Sequence, residues 1–250
     1  MTDDALELPE ILGERTFRVF RFARGDKAPR FEEFPGVPVH DKSTVLEALR
    51  WIQVHLDPSL GIRHSCFHAS CGTCGLRVNG VEALACVTPA ASVHVGPITV
   101  EPMANIPVLH DLVVDMDDFY ARYPAEHPLL RRDEHDEAGD PPEEIEDYER
   151  FEDCIECGLC LSACPVAATD ERYLGPAALA WAQRCIEEPR RARPEDLLAW
   201  AAQEHGAFQC HASFECTEAC PSDVFPAERI MKLRRELTVL GLRGSQKAKA

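Results

Sequence analysis

Basic residues are scarce in this chain. Lys and Arg number 26 against 43 Asp and Glu, giving a formal net charge of −17. That surplus repels phosphate backbones, which excludes nucleic acid as a natural partner. It also repels anionic lipid, so membrane attachment would need another subunit. No segment approaches the roughly 18 to 20 consecutive apolar residues that span a bilayer. The most apolar stretches, 108–114 and 177–182, are short. The start, Met1-Thr2-Asp3-Asp4, lacks a basic region followed by an apolar one. It is not expected to be a secretory signal, and the chain is expected to be soluble by itself and made in the cytoplasm. Aromatic residues are only 7%, so the cores must be mainly aliphatic, and 45% hydrophobic residues suffice for them.

Cysteine, by contrast, is plentiful: 12 in 250 residues. In a secreted chain this would suggest disulfides; in a cytoplasmic chain at these spacings it suggests metal. All but Cys185 fall into three patterns. Cys66-x4-Cys71-x2-Cys74, with Cys86 further on, is the plant-type 2Fe-2S spacing. Two irons bridged by two sulfides need four thiolates around a compact charged core. Three come from one loop, and the fourth comes from across a hairpin. Gly72 and Gly75 suit a backbone that approaches inorganic sulfide closely, and N–H groups in such a loop can donate to the sulfurs. Two rivals are weaker. Cys66-Phe67-His68 fits the first half of a Rieske pattern, but no Cys-x2-His follows. Cys71 and Cys74 would serve as half of a structural zinc site, but the four-cysteine spacing fits the binuclear cluster better. His64 and His68 read as surface or loop-packing residues.

Cys154-x2-Cys157-x2-Cys160-x3-Cys164-Pro165 is the bacterial ferredoxin run, in which the fourth cysteine ligates the other cluster. Cys210-x2-Ser213-x2-Cys216-x3-Cys220-Pro221 keeps every spacing, with Ser213 where the middle cysteine belongs. Cys154, Cys157, Cys160 and Cys220 then make four thiolates, suiting a 4Fe-4S cluster. Cys164, Cys210 and Cys216 make three, suiting a 3Fe-4S cluster. Ser213 offers an alternative oxygen ligand, but thiolate is the softer and better one here. Fewer thiolates mean less negative charge, so the trinuclear centre is expected at the high-potential end and the 2Fe-2S centre at the electron entry. Cys185 falls in a helix and reads as a small buried hydrophobe.

The expected fold class is α+β. Thr16–Phe22, Val37–His40, Val93–Val95 and Ile98–Val100 are predicted strands. Leu76–Val78 and Val81–Ala85 flank Asn79-Gly80, a type I′ hairpin signal. Thr44–Leu56 is a predicted helix, with Thr44 and Glu47 as a capping box. Together they predict a small sheet with one helix across it. Residues 106–123 read as an extended arm followed by a helix, and its apolar residues suit a partner. The acidic stretch 131–153 reads as a solvated linker, with docking of a basic partner as the alternative. Helices are expected over Pro176–Glu188, Pro194–Glu204 and Pro226–Leu240, with a frayed tail at 244–250. The boundary is placed near residue 105, giving domains 1–105 and 106–250.

This layout resembles the iron–sulfur subunit of succinate dehydrogenases and fumarate reductases. The resemblance covers roughly 15–240 and extends beyond cysteine: IRHSC (62–66), CGTC (71–74), RVNGVEALAC (77–86), PVLHDLVVDMDDFY (107–120), CIECGLCLSACP (154–165), LGPAAL (174–179) and CTEACP (216–221). It implies an N-terminal β-grasp, ferredoxin-like domain and a C-terminal all-helical α-ferredoxin domain. It implies a flavoprotein partner with covalent FAD that oxidises succinate to fumarate. It implies a membrane anchor, often with haem b, that supplies a quinone site beside the trinuclear cluster, with His211 near the quinone or haem. The chain would then lie on the cytoplasmic side of the cell membrane, peripherally held by the anchor. Many ubiquinone-type members carry adjacent tryptophans where Ala168 and Thr169 stand here, which points to menaquinone. Gln209 replaces a common Arg, and Ser213 a usually apolar residue. The direction, succinate oxidation or fumarate reduction, stays open, as does a freestanding soluble carrier.

Overall fold

The computed structural model describes residues 11–91, 96–124, 154–187 and 194–241. The predicted strand at Val93–Val95, the acidic stretch 131–153, Glu188 and the tail 244–250 include residues outside that set. The chain divides into two compact units. One is Met1–Pro102 with Val108–Val114, and the other is Met103–Pro107 with Asp115–Ala250.

The first unit is a mixed sheet covered by one helix. Strands β1 (Ile11–Arg21), β2 (Arg30–His40), β3 (Gly75–Val78), β4 (Val81–Leu84) and β5 (Ile98–Glu101) pair in the order β2-β1-β5-β3-β4. Only β1 and β5 run parallel. Helix α1 (Val45–His55) begins with the predicted capping box: Thr44 accepts from the Glu47 amide, and Glu47 accepts from the Thr44 amide. A cap of this kind is worth about 1 kcal/mol. Its buried face is Val45, Leu46, Ala48, Leu49 and Ile52, each larger side chain contributing about 1.5–3 kcal/mol over exposure. Opposite lie Phe17 and Val19 of β1, Val37 and Val39 of β2, and Ile98 and Val100 of β5, all buried. Asn79 (φ 50°) and Gly80 (φ 82°) are both left-handed, as a type I′ turn requires. This is the β-grasp arrangement that the resemblance implies.

Two expectations change here. Strand β2 starts at Arg30, not Val37. Pro35-Gly36 looks like a strand breaker, but pairing jumps from Arg15↔Val37 to Phe17↔Phe34. A bulge, with Gly36 at φ 72°, absorbs both residues and the strand continues. The arm at 106–114 is also not simply extended. It folds back as a short hairpin, β6 (Val108–His110) with β7 (Val113–Val114), turning at Asp111 with φ 47°. Helix α2 (Met116–Tyr120) follows, capped by Asp115.

The second unit is helical: α3 (Leu159–Ser162), α4 (Pro176–Glu187), α5 (Pro194–Ala201), a 3-10 turn (Ala207–Gln209), α6 (Glu215–Glu218) and α7 (Pro226–Val239). Its core includes Leu159, Leu161, Leu179, Ile230 and Leu233, all buried. Arg229 of α7 is buried and donates to Gln183 and Glu187 of α4 at 3.4 and 3.2 Å. Helix α5 stops at Ala201 rather than Glu204, because the chain doubles back there. A Cβ on Gly206 would lie 2.1 Å from the Ala201 carbonyl oxygen. Cys185 is buried in α4.

Candidate metal centres

In the first unit, Cys66, Cys71 and Cys74 lie on the loop between α1 and β3, and Cys86 lies just past β4. The loop is held open by left-handed residues: Phe67 (φ 62°), Ala69 (60°) and Gly72 (68°). These turn successive N–H groups inward. The amides of His68 and Ser70 donate to the Cys66 sulfur at 3.4 and 3.3 Å. The Ala69 amide donates to the Cys86 sulfur at 3.3 Å. The thiols form two contacting pairs, Cys66 with Cys71 and Cys74 with Cys86. The His68 amide is the main influence lowering the Cys66 thiol to about 7, while burial raises Cys74 to about 12. His64 packs against Phe67 at 5.3 Å between rings, and the His68 ring lies 2.5 Å from the Cys66 carbonyl. Both histidines shape the loop. Each iron of a binuclear core takes two thiolates, so two thiol pairs ringed by amides fit that group.

In the second unit the two remaining cysteine runs have the same backbone. In one, Glu156 (φ 49°) and Gly158 (84°) are left-handed and α3 follows at once. In the other, Ala212 (55°) and Phe214 (65°) are left-handed and α6 follows at once. Superposing the two registers puts Cys154 on Cys210, Cys160 on Cys216 and Cys164 on Cys220. Ser213 takes the place of Cys157. Cys157 is buried, whereas Ser213 is exposed. The substitution that spacing suggests is thus also a substitution at one backbone position of a structural repeat.

The repeats cross-feed two cavities. Cys154, Cys157, Cys160 and Cys220 line one of about 430 Å³, counting its part open to solvent, with Phe119, Ala177 and Val224 among its walls. Cys164, Cys210 and Cys216 line another of about 280 Å³ on the same measure, together with Tyr173, His211, Ser213 and Phe214. Burial is the first cause raising Cys157 and Cys216 to about 12 and Cys160 well above its ordinary value; in all three the neighbouring thiols add to it. Several thiolates in one apolar pocket are unfavourable unless cations replace the protons, which is what iron does. Among the described residues, no three His, Cys, Asp or Glu side chains converge as ligands to a single ion would. The sulfurs surround a space instead, as a multi-iron core needs. His211 is exposed at the rim beside Cys210.

Three supports escape spacing patterns. Asn105, left-handed at φ 60°, donates its side-chain amide to the carbonyls of Leu161, Ser162 and Cys164 at 2.9, 2.9 and 3.0 Å. It thereby closes the end of α3, where Cys164 sits. Asp111 clasps the approach to the Cys66 loop. Its carboxylate accepts from the amides of Phe22 and Gly61, both at 2.9 Å, and from Arg21 Nε at 3.1 Å. Tyr173 fills the wall of the smaller cavity and is 1% exposed. In the sequence these residues show as no more than an Asn at 105, the HDL of 110–112 and a Tyr at 173, and none of these names a partner.

Comparisons with known proteins agree with this picture. Residues 16–121 match the 2Fe-2S iron-sulfur cluster binding domain, and residues 150–224 match the 4Fe-4S dicluster domain. The chain is therefore an iron–sulfur protein in which a binuclear-cluster domain precedes a dicluster domain. The fumarate reductase iron-sulfur subunit of Mycobacterium tuberculosis is 41% identical over 214 residues, covering 84% of this chain and 86% of that one. The succinate dehydrogenase iron-sulfur subunit of Coxiella burnetii is 32% identical, covering 89% and 96%. The chain belongs to the family of iron–sulfur subunits of succinate dehydrogenases and fumarate reductases, which are oxidoreductase complexes. Its fold is shared with a chain of the Mycobacterium smegmatis Sdh1 complex in the apo form, at TM-score 0.81 and 24% identity, covering 91% of this chain and 97% of that one. No helix among the described residues is long and apolar enough to cross a membrane.

Proposed function

We propose that this chain carries electrons singly between the covalent FAD of a flavoprotein partner and a membrane quinone, in the direction of succinate oxidation. When bound, iron–sulfur clusters supply the one-electron steps that couple a two-electron flavin to a quinone. Cys66, Cys71, Cys74 and Cys86 would hold the 2Fe-2S cluster at the entry. Cys154, Cys157, Cys160 and Cys220 would hold 4Fe-4S. Cys164, Cys210 and Cys216 would hold 3Fe-4S at the exit. The observation that carries this reading is the structural repeat, which puts exposed Ser213 where its counterpart offers a buried cysteine. The proposed domains remain 1–105 and 106–250.

The partners are the flavoprotein and an anchor, with haem b in the anchor, and the chain sits peripherally on the cytoplasmic side of the membrane. His211 lies at the rim of the three-cysteine cavity, which supports a place beside the quinone or haem. Ala168 and Thr169 are exposed and small, which supports menaquinone over a tryptophan-lined ubiquinone pocket. One observation favours the opposite direction: the 41% identical relative is a fumarate reductase subunit. Purification from gently solubilised membranes, with subunits identified and both directions assayed against menaquinone and ubiquinone analogues, tests these points. The expected result is a covalent flavoprotein, an anchor and faster succinate-dependent reduction of the menaquinone analogue. Faster fumarate reduction by the quinol reverses the direction. Recovery of the chain alone from the soluble fraction, clusters intact, makes it an independent carrier.

A further inference from the structure

The wall of the three-cysteine cavity carries one buried phenol, Tyr173. Tyr173 is 1% exposed, and its buried hydroxyl has no well-formed hydrogen bond and faces the Cys210 sulfur. The charges around it are the sulfurs of Cys210, Cys164 and Cys216. A buried hydroxyl without a well-formed hydrogen bond is unfavourable and rare, and each instance calls for a reason. The ring cannot drift away from the site. The Tyr173 amide donates to the Asp170 carbonyl at 3.1 Å, and Arg122 donates to the Tyr173 carbonyl at 2.5 Å. Asp170 is itself bound to His205 at 2.6 Å, and the Leu174 amide donates to the His205 carbonyl at 3.0 Å. The phenol is therefore held from both sides of its backbone.

We propose that the Tyr173 hydroxyl donates a hydrogen bond to the sulfur of the centre held by Cys164, Cys210 and Cys216, and thereby raises its reduction potential. This rests on the trinuclear reading given above. An ordinary phenol keeps its proton at neutral pH, and facing sulfurs it can serve as their donor. Reduction adds one electron, supplied along the chain's own centres, and one negative charge at the sulfurs, and no proton moves. A donor aimed at those sulfurs stabilises the reduced form more than the oxidised form. Tyr173 is a positioning and tuning residue, since it touches the ligands rather than the quinone or the dicarboxylate.

The test is a redox titration of the purified complex followed by electron paramagnetic resonance, unaltered and as Tyr173→Phe. Phe keeps the ring and removes only the hydroxyl. At fixed ambient potential the reduced-to-oxidised ratio of the trinuclear centre should fall about tenfold, equal to about 59 mV for a one-electron couple. The binuclear centre should not move. An unmoved trinuclear potential, or equal shifts at both centres, overturns the proposal. If the variant fails to assemble, the unaltered complex still decides. Made with ring-deuterated tyrosine, it should show deuterium modulation on the trinuclear signal, and none would overturn the placement. An unaltered complex at full iron with no trinuclear signal overturns the ligand reading as well. A trinuclear signal that ignores Tyr173→Phe overturns this proposal alone.

Discussion

Asp111 is the residue whose loss the fold should tolerate least for its size. It is 1% exposed and sits on a two-strand hairpin, yet it reaches two distant places in the sequence, residues 21–22 and 61. It receives Arg21 Nε and the amides of Phe22 and Gly61, while its own amide donates to the Phe22 carbonyl at 2.7 Å. Gly61 opens the segment that leads to Cys66. Ala at 111 orphans two backbone donors, at about 1 kcal/mol or more each. It also meets the left-handed conformation (φ 47°), which penalises Ala by about 1–2 kcal/mol. Arg21 keeps Asp57 and Glu32, so the ionic loss stays below the ~3–5 kcal/mol of a fully broken buried pair. Asp111→Ala should therefore destabilise by about 4 kcal/mol, against a typical domain total of about 5–15 kcal/mol. Asp111→Gly relieves the backbone strain and should lose about 3 kcal/mol. Asp111→Asn keeps one acceptor and tolerates the left-handed region, so about 1–2 kcal/mol is expected. The assay is a urea series on the complex, reading the reduced binuclear signal at each concentration. Three variants of equal stability, or Asp111→Ala within about 1 kcal/mol of the unaltered protein, would show that the Asp111 carboxylate does not hold these segments together.

Other consequences follow from the same geometry. Cys216→Ser should abolish the trinuclear signal and spare the binuclear one; loss of the binuclear signal instead would overturn the ligand assignment. Asn105→Asp puts a carboxylate against the carbonyls of Leu161, Ser162 and Cys164, and against the negative end of α3. That should destabilise the helical unit by about 3 kcal/mol and deplete its clusters, seen as iron loss with the binuclear signal retained. Asp57 is held down at about 2, first by the Ser59 hydroxyl and then, against burial, by Arg21. A carboxylate depressed in the folded state contributes stability that is complete above its unfolded value near 4 and is lost as pH falls through about 2. The stability advantage of the unaltered protein over Asp57→Asn should therefore narrow between about pH 4 and pH 2 in paired urea titrations.

The sequence made local features legible and left long-range ones hidden. The capping box at Thr44, the Asn79-Gly80 turn and the Pro-initiated α4 and α7 all rest on contacts within a few residues, and all are present. The cysteine patterns stood out for a different reason: a cluster imposes spacing on its ligands, and the two cluster domains that the patterns suggest are matched. What spacing could not reveal depends on residues far apart. The 106–114 arm becomes a hairpin because Asp111 finds Arg21, 90 positions away. Strand β2 survives Pro35-Gly36 because β1 accepts a bulge opposite them. The structural likeness of the two cysteine runs lies in left-handed φ angles at Ala212 and Phe214, residues that no turn rule would select. Tyr173 and Asn105 carry no motif, and their roles appear only once the chain closes around the cavities.

Whether these three cysteine sets carry electrons from succinate is decided by electron paramagnetic resonance on the purified, fully oxidised complex before and after succinate is added. A trinuclear signal should be present at the start and disappear on addition of succinate. A binuclear signal should appear on fuller reduction with dithionite. Full iron loading with no trinuclear signal, or a trinuclear signal that succinate leaves untouched while the flavoprotein remains active, would contradict that electron path.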